Sequence, residues 1–376
     1  MFVAITNTPR DYAWGSRGEI SALLGTPPSG APEAELWLGA HPGSPSSLVG
    51  DGRTLLDLVE ERLPFLLKVL AAGSPLSLQA HPTMEQAAAG FAREEAAGVP
   101  IDAPHRNYKD AFHKPELIYA LSDEFDALCG FRSAEDIRRV LGLLIEKDAD
   151  PSDSLLLELV DRLDGDSSLR AVFERLITGG DGVAELVALV SRLADDSTPE
   201  LTTAKDLARA YPGDPGIVIS LMLNRVTLKP GEVLYLPAGN IHAYLHGLGI
   251  ELMASSDNVL RGGLTPKHVD VPELLDVLDF RPLPVPYLAA EHPSPGVAIY
   301  RPDVPDFVLA RVEGDGTLPL TGPAIALCTE GAGTMAGALG TTAIERGDSV
   351  YITADEAELT ISGGATVFIA TTGVAH

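Results

Sequence analysis

Basic residues are scarce in this chain of 376 residues: 27 lysines and arginines stand against 53 acids, a formal charge of −26. Nucleic-acid binding rests on basic stripes that meet phosphate, and none is visible, so that class is excluded. The same charge disfavours an anionic membrane surface. A small anionic substrate stays within reach only if its cationic partners are gathered in one cleft. Cysteine is rarer still. Cys129 and Cys328 sit far apart in apolar surroundings, which excludes a disulfide framework and fits a reducing, cytoplasmic compartment. Both are expected as small buried hydrophobes. There is no run of 18 apolar residues, hence no expected membrane-spanning helix. The opening MFVAITNTPRDYAWG has no basic segment followed by an apolar one, so no secretory signal is expected.

Apolar residues make up 45% of the chain, enough for real cores and too many for global disorder. The length suggests two or three domains. Residues 1–130 are rich in Pro and Gly, with short apolar runs such as LPFLLKVL at 63–70 and ELIYAL at 116–121, which could be strand or helix on length alone. Between 131 and 214 the period changes. Ser133 precedes Glu135 and Asp136, a helix start, and Ile137, Val140, Leu141 and Leu144 recur at helical spacing. Leu155–Leu163, Ala171–Ile177 and Val183–Leu193 repeat the pattern between Asp, Gly and Ser breaks, which predicts a structural insertion of short helices. From about 215 the pattern turns to strands, beginning with IVISLMLNRVTL; a short helix is expected at 271–280. From 296 onward short β-branched segments between Gly and Asp turns suggest a sandwich or barrel.

One internal echo links the two β regions. GEVLYLPA at 231–238 aligns without gaps to GDSVYITA at 347–354. It favours two similar β-barrels with the helices inserted into the first. The expected fold is mainly β: two cupin-like barrels (jelly rolls) plus a helical domain. Residues 1–130 and 215–270 form the catalytic barrel, 131–214 the insertion, and 271–376 a metal-free C-terminal barrel.

Three segments carry metal-ligand chemistry. G-EVLYL-P-A-G-N-I-H at 231–242 resembles the second motif of the cupin barrels, in which a Pro-Gly turn leads into a strand that projects a histidine, here His242. His246 is expected outside the metal shell. Gln79 and His81 are two residues apart, so on a strand they share a face. Glu116 follows Pro115 and enters an apolar run, where a carboxylate is expensive to bury unless paired or metal-bound. Together Gln79, His81, Glu116 and His242 offer nitrogen and oxygen ligands without thiolate, a set that suits Zn, Mn, Fe or Co. In the second β region the position equivalent to His242 is Glu358, with no histidine nearby.

DYAWG at 11–15, AELWLGAHP at 34–42, LSLQAHP at 76–82, YKDAFHKPE at 108–116, PAGNIHAYLHG at 237–247 and IELMASSDNVLRGGLTPKHVD at 250–270 occur in this order. With them the chain resembles the type I phosphomannose isomerases. The resemblance implies one zinc ion held by Gln79, His81, Glu116 and His242. It implies an aldose–ketose isomerase that interconverts mannose 6-phosphate and fructose 6-phosphate, on the route to mannosylated glycans through GDP-mannose. It further implies that Glu251, Asp257, Arg261 and Lys267 line the cavity with Trp14, Ser77, Lys114 and Tyr244. One departure is Phe112, where family members often carry Asn; it puts the surroundings of Glu116 in question.

Isomerisation through an enediol needs a base near carbons 1 and 2 and stabilisation of a developing oxyanion. Candidate bases are Asp257, Glu251, His113 and Lys114, with Asp257 or Lys114 preferred; His113 is also expected beside the substrate. Arg261, followed by two glycines, and Lys267 could meet the phosphate, and Arg261 alternatively the enediolate. Trp37 is expected in a core, and His41, His105, His268, His292 and His376 at the surface or in structural roles. A small sugar phosphate is the expected partner of a monomer. Two other classes stay open: a sugar-phosphate sensor that keeps the metal without turnover, and a metal-dependent oxygenase. The polar set Lys114, Glu251, Asp257, Arg261 and Lys267 exceeds what binding alone requires, and an amide ligand with clustered cations argues against the oxygenase.

Overall fold

The strand His242–Ala254 is the spine of the half that carries these motifs. The computed structural model describes residues 1–150, 155–165 and 168–373; His376 lies outside them. At its start the spine pairs antiparallel with Gln79–Ala80 and Phe125–Phe131. From Gly247 on it pairs instead with Phe65–Ala72 and Glu116–Ala120. A register shift between Tyr244 and His246 accompanies the exchange. An extra residue in a strand flips the inward alternation. Tyr244 before the shift and Glu251 and Met253 after it therefore line one cavity, despite their different parity. Gly247 makes the bend, at φ 123. A Cβ there would lie 2.8 Å from the Phe125 ring and 2.9 Å from the Glu124 carbonyl oxygen.

The ambiguous apolar runs resolve as strands. Phe65–Ala72 is buried at every position, and a strand covered on both faces reads as a continuous apolar run. Glu116–Ala120 is buried throughout as well. The helical stripes form Ala134–Ile145, Leu155–Arg162, Ser168–Ile177 and Val183–Leu193. Ser133 caps the first, its hydroxyl accepting the Asp136 N–H at 3.0 Å. Pro199–Ala210 follows, with Thr198 as cap and Pro in the first turn. Ile137, Leu156, Phe173 and Val187 share one core with Leu78, Ala80, Ile241 and Leu260, so the helices pack on the outside of the strands that hold the site.

Two expectations need correction. IVISLMLNRVTL is not all strand: Gly216–Ser220 is a helical turn, and the strand runs Leu223–Leu228. The Asp214 carboxylate accepts the Gly216 N–H at 2.7 Å, and Ile217, Val218 and Ile219 are all buried. A run buried on every side has no polar alternation to separate helix from strand. Second, within its expected unit the strand Phe2–Thr6 pairs only with the short strand Ser47–Leu48, among the described residues. It pairs antiparallel with Ser349–Ile352, Phe2 opposite Ile352, within an eight-stranded sheet formed mainly by C-terminal strands.

That sheet and a four-stranded one enclose a separate core, with Val297, Ala310, Ile344, Leu359 and Ile369. The expected helix is present as Val271–Val277. Tyr119 joins the two halves, its ring edge-on to Phe368 at 4.9 Å and to Tyr300 at 5.6 Å. The chain is thus mainly β, in several antiparallel sheets, with helices concentrated between the β regions.

Gly247→Ala is expected to destabilise the fold by at least about 1–3 kcal/mol, from the left-handed backbone alone. An unchanged urea midpoint would show that the bend tolerates a side chain.

Candidate active site

Three side chains meet beside a cavity of about 590 Å³, with Glu116 in its lining. His81 leaves the short strand Gln79–Ala80, His242 begins the spine, and Glu116 begins its own strand. One ligand atom of each lies within 4.8 Å of the others. His81 Nε2 is 3.2 Å from Glu116 Oε1, and His242 Nε2 is 3.3 Å from Glu116 Oε2. Both other ring nitrogens are engaged: Nδ1 of His81 donates to the Asn258 carbonyl at 2.8 Å, and Nδ1 of His242 to the Asn240 carbonyl at 3.0 Å. That fixes each tautomer and leaves Nε2 with a lone pair facing inward. His81 Nε2, His242 Nε2 and Glu116 Oε2 are buried without an aligned hydrogen-bond partner. Such atoms are costly to leave unsatisfied. Neutral imidazoles and a carboxylate converging in this way fit a divalent metal. Gln79 stands directly across the ladder from His242, so its amide shares that face.

The protonation states agree. Burial holds the His81 imidazole down to about 4, against the pull of Glu116. Burial works to raise Glu116, but the Lys114 ammonium and the two imidazoles hold it well below the usual carboxylate range. Lys114 Nζ is 2.8 Å from Glu116 Oε1.

Beside this trio runs a buried chain of charge. Lys68 Nζ lies 2.9 Å from Glu251 Oε2 and 3.4 Å from Glu35 Oε1. Trp37 Nε1 donates to Glu35 Oε2 at 3.0 Å, and the Lys68 ammonium lies 5.0 Å from the Trp37 ring centroid. Burial opposes a charged Lys68, but Glu251 and Glu35 raise its pKa and keep it an ammonium. Glu251 is raised, chiefly by burial, with Glu116 and Glu35 adding to the rise against the opposing pull of Lys68. Tyr244 is raised well above its usual value, again by burial first and Glu251 after it.

The cavity also holds two cations. Arg261 is pinned across the ladder from Gln79. Burial lowers Lys267, and the neighbouring charge of Arg261 adds to the shift. Among the described residues neither has an ion-pair partner, in a chain with about twice as many acids as bases. Trp14, Ser77 and Asp257 complete the lining.

The comparisons with known proteins point one way. The model of the phosphomannose isomerase type I catalytic domain matches residues 2–134. The mannose-6-phosphate isomerase of Escherichia coli K12 is 36% identical, with 96% of each chain covered. The human mannose-6-phosphate isomerase is 34% identical over 92% of each. The chain belongs to the type I phosphomannose isomerases. A Salmonella typhimurium mannose 6-phosphate isomerase crystallised with substrate (fructose 6-phosphate) and zinc superposes with TM-score 0.88, at 33% identity, covering 98% of this chain and 99% of that one. Another structure with zinc and yttrium gives the same TM-score.

The enzyme's cavity also holds residues that sequence reading missed or placed elsewhere. Glu35 and Lys68 were hidden inside apolar runs; the signal was a lysine in the middle of FLLKVLAA. Trp37 lines the cavity instead of sitting wholly in a core. His41 is buried, 3.4 Å from Asp257. His113 is not among the lining residues; its Nε2 lies 2.7 Å from Asp306 Oδ2. His246 is exposed and borders a separate cavity. Phe112 turns its ring outward beneath Arg62, and its carbonyl accepts the Asn258 Nδ2–H at 2.8 Å.

Two outcomes are expected. His242→Ala should lose bound metal and activity together, and elemental analysis showing full metal content would remove His242 from the ligand set. Lys68→Met should cost about 3–5 kcal/mol, since it strands buried carboxylates without a counter-charge; a denaturation midpoint equal to the parent's would contradict this.

Proposed function

We propose that the enzyme interconverts mannose 6-phosphate and fructose 6-phosphate through an enediol, with one zinc ion held by Gln79, His81, Glu116 and His242. The observation that carries the reading is a conjunction: unsatisfied metal-ligand atoms on His81, Glu116 and His242, beside a cavity whose cations Arg261 and Lys267 have no ion-pair partner among the described residues. A sugar phosphate offers oxygens to the one and a dianion to the other. A divalent cation supplies, when bound, a Lewis acid that draws negative charge onto sugar oxygen without any redox step.

The protein's own groups divide the remaining work. Arg261 and Lys267 take the phosphate, and its binding relieves their mutual repulsion. Glu251 Oε2 and Tyr244 Oη, both buried without an aligned hydrogen bond, offer an acceptor and a donor to sugar hydroxyls. Trp14 and Ser77 shape the wall. Lys114 is tied to Glu116 and keeps it ionised, so it is a poor base. Glu35, Glu116 and Glu251 each face a lysine. Asp257 faces none; its recorded ion-pair partner is His41. We assign Asp257 as the base that takes the proton from carbon 2 and returns it to carbon 1.

The architecture is read as two cupin-like barrels: 1–130 with 215–270, less the strand Phe2–Thr6, and 271–376 with that strand added. Residues 131–214, extended through Ser220, form the helical insertion. The echo supports this. Gly231 and Gly347 both adopt left-handed backbone, at φ 92 and 95, and both lead into a strand. His242 and its counterpart Glu358 each begin the next strand. Two buried free thiols, Cys129 and Cys328, are consistent with a cytoplasmic setting. We take the enzyme to act as a monomer on a small metabolite.

The test is fructose 6-phosphate formation from mannose 6-phosphate, before chelation, after it, and with zinc restored. Loss and recovery are expected; a folded, metallated chain without turnover would favour the sensor reading. Lys267→Ala should raise KM by about 10-fold or more with kcat less affected, as expected for lost charge-assisted binding.

A further inference from the structure

His41 follows the strand Glu35–Leu38 and is 5% exposed. Its Nδ1 accepts the Gly43 N–H at 3.1 Å, so in the neutral ring the proton sits on Nε2. That nitrogen is 3.4 Å from Asp257 Oδ1. The Trp37 ring stands edge-on to the imidazole at 5.0 Å between centroids and fixes its plane. Burial lowers the His41 pKa, and Lys68 and Lys114 push the same way against Asp257 and Asp110. The ring therefore presents a neutral N–H.

Asp257 needs such a partner. Its side chain is 52% exposed and lies on an irregular segment between two cavities, the one described above and a neighbour of about 550 Å³ lined by Leu56, Arg62 and Phe112. Its backbone is already anchored, the N–H donating to Asp110 Oδ2 at 3.0 Å. Nothing else recorded among the described residues restrains the carboxylate. Left alone, it could turn to either cavity.

We infer that His41 is a positioning residue: its Nε2–H holds Oδ1 of Asp257 and leaves Oδ2 for the sugar carbon's proton. The inference rests on Asp257 as the base of the proposed isomerisation. A lysine or arginine in this place would also aim the carboxylate, but it would lower its affinity for a proton. A neutral imidazole N–H aims it without adding charge.

The experiment compares His41→Gln with His41→Met in the metal-loaded enzyme. The two side chains are close in size, and glutamine alone can donate from about the place of Nε2. His41→Met is expected to lower kcat about 10–100-fold with KM within about threefold, the signature of a misaimed group. His41→Gln should stay within about threefold of the parent, and both should keep full metal content. In an Asp257→Asn background, His41→Met should have no further effect on the residual rate. Equal losses in the two variants, an unaffected Met variant, or a further loss in the Asp257→Asn background would overturn the inference. If the Met variant fails to fold, the Gln variant decides alone, and a loss beyond about tenfold counts against the proposal. Absence of turnover by the unsubstituted enzyme would instead sink the isomerase reading, and this inference with it.

Discussion

Burying ionised groups is the constraint around which this structure is built. Glu35, Lys68, Lys114, Glu116 and Glu251 are each less than a tenth exposed; Lys68 pairs with Glu35 and Glu251, Lys114 pairs with Glu116, and the two sets feel each other's charge. Three carboxylates against two ammoniums leave one negative charge in excess. A desolvated excess of that kind is expensive, and the arrangement is completed by adding a cation rather than by removing a glutamate. Metal binding and folding of this half are therefore parts of one electrostatic balance. The strands serve it: the spine places Glu251 opposite Lys68 and Met253 opposite Glu116 in adjoining ladders.

The same logic applies to the whole surface. A chain with charge −26 repels a phosphorylated sugar at long range. Arg261 and Lys267 line the cavity without an ion-pair partner among the described residues, so their field there is unspent. On the proposed reading, recognition of the phosphate is local and does not draw on the charge of the molecule as a whole.

The site was legible wherever a local rule governs it. His81 stands just past a short strand whose Gln79 faces His242 across the ladder, Glu116 stands out because a carboxylate opens an apolar strand, and His242 follows a recognisable turn. The helices were legible from their stripes. What escaped notice depends on partners far away in the chain. Lys68 reads as an intrusion in a core strand until Glu251 is placed opposite it. His41 reads as one histidine among several until Asp257 comes within 3.4 Å. The register shift after Tyr244 reverses which residues face inward, and no local pattern announces it. His113 kept its promising neighbourhood in sequence but spends its imidazole on Asp306, contributed by the C-terminal half.

The pairing of Phe2–Thr6 with Ser349–Ile352 also has a consequence for how the molecule is made. On a ribosome Phe2–Thr6 is made well before the strand it pairs with, Ser349–Ile352. At cellular elongation rates that interval is roughly tens of seconds. Throughout it Phe2–Thr6 has only its short ladder with Ser47–Leu48, and the long-range pairing comes late. His81, Glu116 and His242 are all made before that moment, whereas the eight-stranded sheet cannot be sealed until Ser349–Ile352 has appeared. Vectorial synthesis thus separates the acquisition of chemistry from the final closure of the fold.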